Sequence, residues 1–193
     1  DIGSQIKSRL GIDDKLLVSF FGRLSSIKGL DHLVRAIPEI VQEVKDVRFL
    51  IVGKGPQKPF LMELAKNLNV DDFILFQDSI SHACMPQYLR ASDLVVLPSL
   101  KEGFSLIFLE ALACKVPVVT TSACPFSRIV EDQDIGVFVK PGSSRHLARG
   151  ILSLLVDAAL RNKVSSNGFR LVSKKYTWDS VAQRTIQLYN SVL

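Results

Sequence analysis

Two carboxylates bracket a short apolar stretch, Glu102-Gly-Phe-Ser-Leu-Ile-Phe-Leu-Glu110. Glu102 and Gly103 follow Pro98-Ser99 at the end of a run, Asp93-Leu-Val-Val-Leu97, that reads as a buried strand. Glu110 falls inside the apolar helix expected over 105–113. One acid therefore stands in the loop at a helix mouth, and the other lies more than a turn along the helix. Between them, the backbone N–H groups of Gly103, Phe104, Ser105 and Leu106 point out of an end that carries partial positive charge. Such an end binds phosphate or another anion. Amides for an anion, beside carboxylates for hydroxyl groups, suit a sugar nucleotide. Spacing alone does not establish this, because two glutamates on a helix are ordinarily solvated. Context adds weight. Phe104, Leu106, Ile107, Phe108 and Leu109 are apolar, so the helix is expected to be largely buried and a carboxylate within it to need a partner.

A second group of residues follows the first expected strand: Gly22-Arg23-Leu-Ser-Ser-Ile-Lys28-Gly29. Gly22 allows a turn or a close approach of backbone to ligand. A guanidinium and an ammonium at the carboxyl edge of a strand can clamp a diphosphate. The plainer alternative is that Arg23 and Lys28 are loop cations facing solvent. Gly53-Lys-Gly55-Pro56 reads as a tight turn rather than a dinucleotide fingerprint, since it follows the second strand and lacks the third glycine. His82 has no acid–base partner nearby in sequence and reads as structural. Tyr176 and Trp178 read as packing anchors for the last helix. No Gly-x-Ser-x-Gly elbow, P-loop or His-Glu-x-x-His occurs, which argues against a self-contained hydrolase, nucleoside triphosphatase or metalloprotease.

The elements that must position these residues alternate along the chain. Strands are expected at 16–22, 47–52, 73–76, 93–97, 116–120 and 136–139. Helices are expected at 29–44, 60–68, 85–91, 105–113, 127–132, 158–175 and 178–192, and another through Val156 that Ser143-Ser144 could cap. Val/Ile-rich strands alternating with helices imply an α/β fold: a doubly wound, Rossmann-like parallel sheet of about six strands with helices on both faces. Ligands of such sheets bind at the carboxyl ends of the strands, where strand order reverses. The loops singled out above all follow strands.

Composition bounds the rest. At 193 residues the chain is about one domain, with no apolar run of the ~18 residues that a membrane span requires. It opens on Asp rather than Met, and a processed chain or a fragment is expected. Cys84, Cys114 and Cys124 form no Cys-x-x-Cys, and only His32, His82 and His146 could join them, so reduced thiols in a cytosolic setting fit better than a zinc site. The net charge of +5 is concentrated in the C-terminal third, at Arg145, Arg149, Arg161, Lys163, Arg170, Lys174 and Lys175. The aromatic interleaving of a nucleic-acid surface is absent. An anionic membrane surface, a phosphorylated ligand and a plain solvated face all remain open.

Taken together, these pieces resemble the C-terminal donor-binding domain of the family 4 retaining glycosyltransferases, whose two facing Rossmann-like domains form the GT-B architecture. The resemblance rests on Phe21-Gly22-Arg23, Lys28-Gly29, Gly53-Lys-Gly55-Pro56, Asp93 to Ser99, Glu102-Gly-Phe-Ser-Leu, Glu110-Ala-Leu-Ala, Pro117-Val-Val, Gly136-Val-Phe-Val and Pro141-Gly142. It implies a substrate that is a UDP- or GDP-linked sugar, no metal and no other cofactor. It implies that Arg23 and Lys28 hold the donor diphosphate and stabilise the leaving nucleotide, and that Glu102 contacts the transferred sugar. The amides of Gly103, Phe104, Ser105 and Leu106 would meet sugar hydroxyls and phosphates. Glu110 would accept from the ribose hydroxyls, Gly22 would give the diphosphate room, and the base would lie near Asp78 to Ile80. Residues 1–14 are then expected as an interdomain linker remnant, and 15–193 as the donor-binding domain with its C-terminal crossover helix. The acceptor domain of such an enzyme would precede this segment, so the chain alone should not transfer sugar. The implied setting is cytoplasmic, with a possible peripheral contact to the membrane's inner face or a lipid-linked acceptor, and without nucleic acid.

Four positions depart from the family pattern: Ser105 and Lys115 stand where Gly is frequent, Arg128 where Glu is frequent, and Asp78 near the expected base site. Two alternatives stay open beside the transferase. One is a sugar-nucleotide epimerase on the same two-domain plan, against which the lack of a His–Glu acid–base pairing counts. The other is a non-catalytic nucleotide-sugar binding module.

Overall fold

A computed structural model of the chain describes residues 2–129 and 134–192. Six parallel strands form one sheet: β1 (Leu16–Phe21), β2 (Val47–Val52), β3 (Ile74–Gln77), β4 (Leu94–Leu97), β5 (Val118–Thr121) and β6 (Val137–Val139). Their order is β3-β2-β1-β4-β5-β6, so the chain winds outward from β1 to one edge and then returns to β4 and winds to the other. This is the doubly wound sheet the sequence predicted. β1 and β4 are neighbours in the middle, with Val18 opposite Leu94 and Ser19 opposite Val95.

The central strands are covered on both faces. Every residue of β4 and β5 is buried, and so are Val18 through Phe21. That is why they read as mainly Val/Leu/Phe runs, with only Ser19, Thr120 and Thr121 polar, rather than as alternating patterns. Ser19 is fully buried in β1, and its hydroxyl lies 2.6 Å from that of buried Ser92.

The helices are α1 (Ile2–Arg9), α2 (Leu30–Glu43), α3 (Lys58–Asn67), α4 (Met85–Ala91), α5 (Leu106–Ala113), α6 (Phe126–Ile129), α7 (Ser144–Val156), α8 (Ala158–Lys175) and α9 (Trp178–Val192). Leu30, Leu33, Val34, Ile37 and Ile40 give α2 a helical apolar stripe that is wholly buried. Ser143 caps α7 as expected, its side chain accepting from the His146 N–H. The helix predicted over 127–132 appears as α6, and residues 130–133 lie outside the described residues, as does the side chain of Arg128. The opening segment contains α1, whose Ile6 is buried against the core and whose Lys7 pairs with Asp93 at 2.7 Å.

Of the two packing anchors expected near the C-terminus, one holds and one does not. Tyr176 does pack, edge-on to Phe126 with ring centroids 5.6 Å apart. Trp178 does not: it is 83% exposed, and no residue of α9 is buried. An amphipathic pattern marks an apolar face but does not say what covers it. No helix among the described residues is long and apolar enough to cross a membrane.

Candidate functional site

The carboxyl ends of β1 and β4 sit side by side, yet their following loops lead to opposite halves of the sheet. The crevice between them is the switch point at which open α/β sheets bind ligands. The loop after β1 is shaped by close backbone approaches. Gly53, at the end of β2, has φ +148°, and a Cβ there would lie 1.8 Å from the Gly22 carbonyl oxygen. A short 3-10 turn over Ser26–Lys28 then ends at Gly29, in the left-handed conformation at φ +62°. A Cβ on Gly29 would stand 2.2 Å from the Pro98 carbonyl oxygen. Only glycine lets the β1 loop come this close to the end of β4.

The two loops are also bonded to each other. The Leu100 N–H donates to the Ile27 carbonyl at 2.8 Å. Thr121, at the end of β5, donates its hydroxyl to the Ser99 carbonyl at 2.6 Å and holds the β4 loop from the other side. Across this seam Lys28 Nζ donates to Glu102 Oε2 at 2.8 Å, and Ser99 Oγ donates to the same oxygen at 3.2 Å. The Glu102 side chain is only 13% exposed. A carboxylate this enclosed needs partners, and the lysine and the serine supply them.

At the carboxyl ends of β1 and β2 opens a cleft of about 280 Å³, lined by Gly22, Arg23, Gly53, Lys54, Ser79 and Ile80 among others, but not by Lys28 or Glu102. The structure thus brings Gly22, Arg23 and Ile80 together, as the sequence predicted. Ser79 falls within the Asp78 to Ile80 span expected for the base, and the structure adds Lys54, which sequence reasoning took only as part of a tight turn. The available signal for Lys54 was its place at the carboxyl end of a parallel strand. Arg23 makes no ion pair among the described residues, whereas Asp78 is held by Lys58 at 3.0 Å and Lys54 at 3.8 Å. The hydrogen bond and charge of Lys58 keep the Asp78 carboxyl below its ordinary range.

At the mouth of α5 the first turn is more open than its composition predicted. Phe104 and Leu106 are 55% and 58% exposed, and a Cβ on Gly103 would meet nothing within 4 Å. Phe108, Ala111 and Leu112 carry the burial instead. Ser105 is the N-cap residue, but its side chain makes no capping bond. The N–H groups of this first turn have no intrahelical acceptors.

Glu110 does have a partner, though one the sequence reading had set aside. His82 Nε2 lies 3.0 Å from Glu110 Oε1. His82 is on a 3-10 turn, His82–Cys84, that leads into α4, and it is 86% exposed, so it is not a buried structural histidine. The two residues are 28 positions apart and meet only because α4 packs near α5.

Residues 4–171 match the family described as Glycosyl transferases group 1. An uncharacterised glycosyltransferase of Methanocaldococcus jannaschii is 30% identical over 177 residues, covering 92% of this chain and 45% of that protein. Among solved structures, the C-terminal domain of the group 1 glycosyl transferase LpcC from Francisella tularensis superposes with a TM-score of 0.82 at 32% identity, covering 91% of this chain and 93% of that one. Anabaena HepE, in complex with UDP, superposes with a TM-score of 0.89 at 25% identity, over 98% of this chain and 52% of that one. The chain spans about half the length of the curated relatives it matches.

Proposed function

The chain belongs to the group 1 glycosyl transferases, and from that premise we propose that it is the half of such an enzyme that holds the nucleotide-sugar donor, with transfer proceeding with retention of configuration. The observation that carries the reading is the 2.8 Å contact of Lys28 with Glu102 at the switch point between β1 and β4. A structural neighbour at 25% identity holds UDP, which supports a UDP-linked donor, with GDP as the alternative base.

In this reading Arg23 and Lys28 bind the diphosphate, and Lys54 adds charge from the next strand. As the sugar leaves, negative charge builds on the nucleotide, and fixed cations at that place stabilise the transition state more than the ground state. Lys28 exchanges its carboxylate for phosphate, so one charge-assisted bond replaces another. Glu102, released, orients the sugar's hydroxyls. The open first turn of α5, Gly103 to Leu106, donates amides to the anion. Glu110 exchanges His82 for the ribose hydroxyls, and Ile80 flanks the base. No metal is required once these cations neutralise the diphosphate. The exposed apolar residues of α9, Trp178, Val181 and Leu188 among them, form the face on which the acceptor half docks. The setting is cytoplasmic, with a lipid-linked acceptor as one possibility for the whole enzyme.

Titration calorimetry of the chain with UDP, GDP and ADP tests the reading: heat with one of them is expected, and none with any counts against it. In the full-length enzyme, Glu110→Ala should weaken nucleotide binding, and Lys28→Ala should slow turnover more than it weakens binding. Unchanged turnover in both would contradict the assignment.

The His82–Glu110 contact favours a second reading, because the epimerase alternative lacked just such a pair. Incubating the full-length protein with UDP-sugar and no acceptor decides between them: an epimerised donor by proton NMR supports the second reading, and an intact donor supports the first.

A further inference from the structure

At the opposite end of the strands from the donor cleft, a second concavity of about 370 Å³ is lined by Lys115, Ser166, Phe169, Arg170, Ser173 and Lys174. Lys115 lies in the turn between α5 and β5, hence at the amino ends of the strands, whereas Gly22 and Glu102 lie at the carboxyl ends. The other five residues recur along α8 at i, i+3, i+4, i+7 and i+8, which places them on one helix face.

Three features set this cleft apart from a solvated basic surface. Lys115 is held in the left-handed conformation at φ +58°, which costs a side-chain-bearing residue roughly 1–2 kcal/mol and costs glycine nothing. Its position is fixed as well: Ser165 donates to its carbonyl at 2.5 Å, and its ammonium sits 4.8 Å from the centroid of the Phe169 ring. The charges are uncompensated. Among the described residues, Lys115, Arg170 and Lys174 form no ion pair, whereas Lys163 on the same helix is neutralised by Asp134 at 2.6 Å. Arg161 is likewise occupied, donating to the Leu154 and Leu155 carbonyls. α8 contains no acidic residue. From Lys140 onward the chain carries nine Lys/Arg against two acids, so nothing nearby on its own helix offsets the cluster.

We propose that this cleft binds a phosphate-bearing ligand, independently of the donor site. Three convergent cations repel one another until an anion joins them. A phosphate group accepts a forked pair of bonds from the Arg170 guanidinium and single bonds from the two ammonium groups, with Ser166 and Ser173 hydroxyls as further donors. The half-open ring of Phe169 gives the organic part of the ligand an apolar wall. A single ring does not make the succession of stacking platforms that single-stranded nucleic acid uses.

The phosphate can belong to a soluble ester or to a lipid headgroup, and the test separates the two. Amide NMR spectra of the chain would be recorded with inorganic phosphate at physiological salt, and flotation would be measured on phosphatidylcholine vesicles with and without phosphatidylglycerol. The comparison is Lys115→Gly/Arg170→Gln/Lys174→Gln, in which glycine suits the strained position and the other two sites are exposed, so folding is retained and is checked by thermal melting. Saturable shifts at Lys115, Phe169 and Arg170 that weaken about tenfold or more in the triple variant establish the site for soluble phosphate. Flotation that requires phosphatidylglycerol and is lost in the triple variant, without phosphate shifts, assigns it to lipid. No shift and no flotation, or responses that the triple variant leaves unchanged, overturn the proposal.

Discussion

Gly29 is where the two halves of the site are forced together, and its replacement by alanine is the most informative single change. Two costs are built into the position. A left-handed alanine costs roughly 1–2 kcal/mol, offset in part by the ~0.4–1 kcal/mol gained from a less flexible unfolded chain. The new Cβ would also stand 2.2 Å from the Pro98 carbonyl oxygen, a backbone atom that cannot swing aside. Relieving that overlap costs about 1–3 kcal/mol more, as overpacking does. Gly11 provides the control, because it has φ +68° but nothing within 4 Å of its Cβ position. Gly11→Ala therefore carries the backbone cost alone, about 1 kcal/mol or less net. Gly29→Ala should lose about 2–4 kcal/mol, or roughly 5–15 °C in melting temperature for a chain of this size. Displacing the loop also breaks the Leu100–Ile27 bond and moves Lys28 off Glu102, so nucleotide affinity should fall for Gly29→Ala and hold for Gly11→Ala. Thermal melts and UDP titrations of both variants provide the assay. Equal destabilisation of the two, or a Gly29→Ala protein with native stability, would refute the reasoning.

Other perturbations follow from single contacts. Ser143→Ala removes the cap of α7 and should cost about 1 kcal/mol, seen as a melting temperature a few degrees lower. Burial pushes the Cys124 thiol above its ordinary range, so the folded state keeps its proton more tightly than the unfolded state does. That contribution is complete below the ordinary thiol range and is lost as pH rises through the raised value, so the denaturant midpoint should fall at alkaline pH and Cys124→Ala should lose less of it. His82→Ala frees Glu110 of its competing partner, and if Glu110 binds the ribose, calorimetry should show UDP binding a few-fold tighter.

Much of this fold was legible because parallel strands covered on both faces are apolar almost throughout, and Leu94–Leu97 is wholly so, while Leu16–Phe21 and Val47–Val52 are interrupted only by Ser19 and Arg48. The loop residues Arg23, Lys28 and Glu102 were legible because each follows such a strand. What escaped was whatever depends on contact between distant segments. His82 could not announce Glu110, because nothing local in sequence tells where the turn before α4 will lie. Phe104, Leu106 and Trp178 were read as buried from their chemistry, yet burial is a property of what lies opposite, and opposite them the described chain offers little cover. Lys115 was legible as an oddity in a turn, but its cleft needed α8 to be placed beside it.

The central claim is that the loops after β1 and β4 act on one ligand. Titrating the isotope-labelled chain with UDP and following backbone amides tests it directly. The account predicts that Gly22, Arg23 and Lys28 shift together with Gly103 and Phe104, along one saturation curve. Shifts confined to one loop, or none in a chain that remains folded, would contradict it.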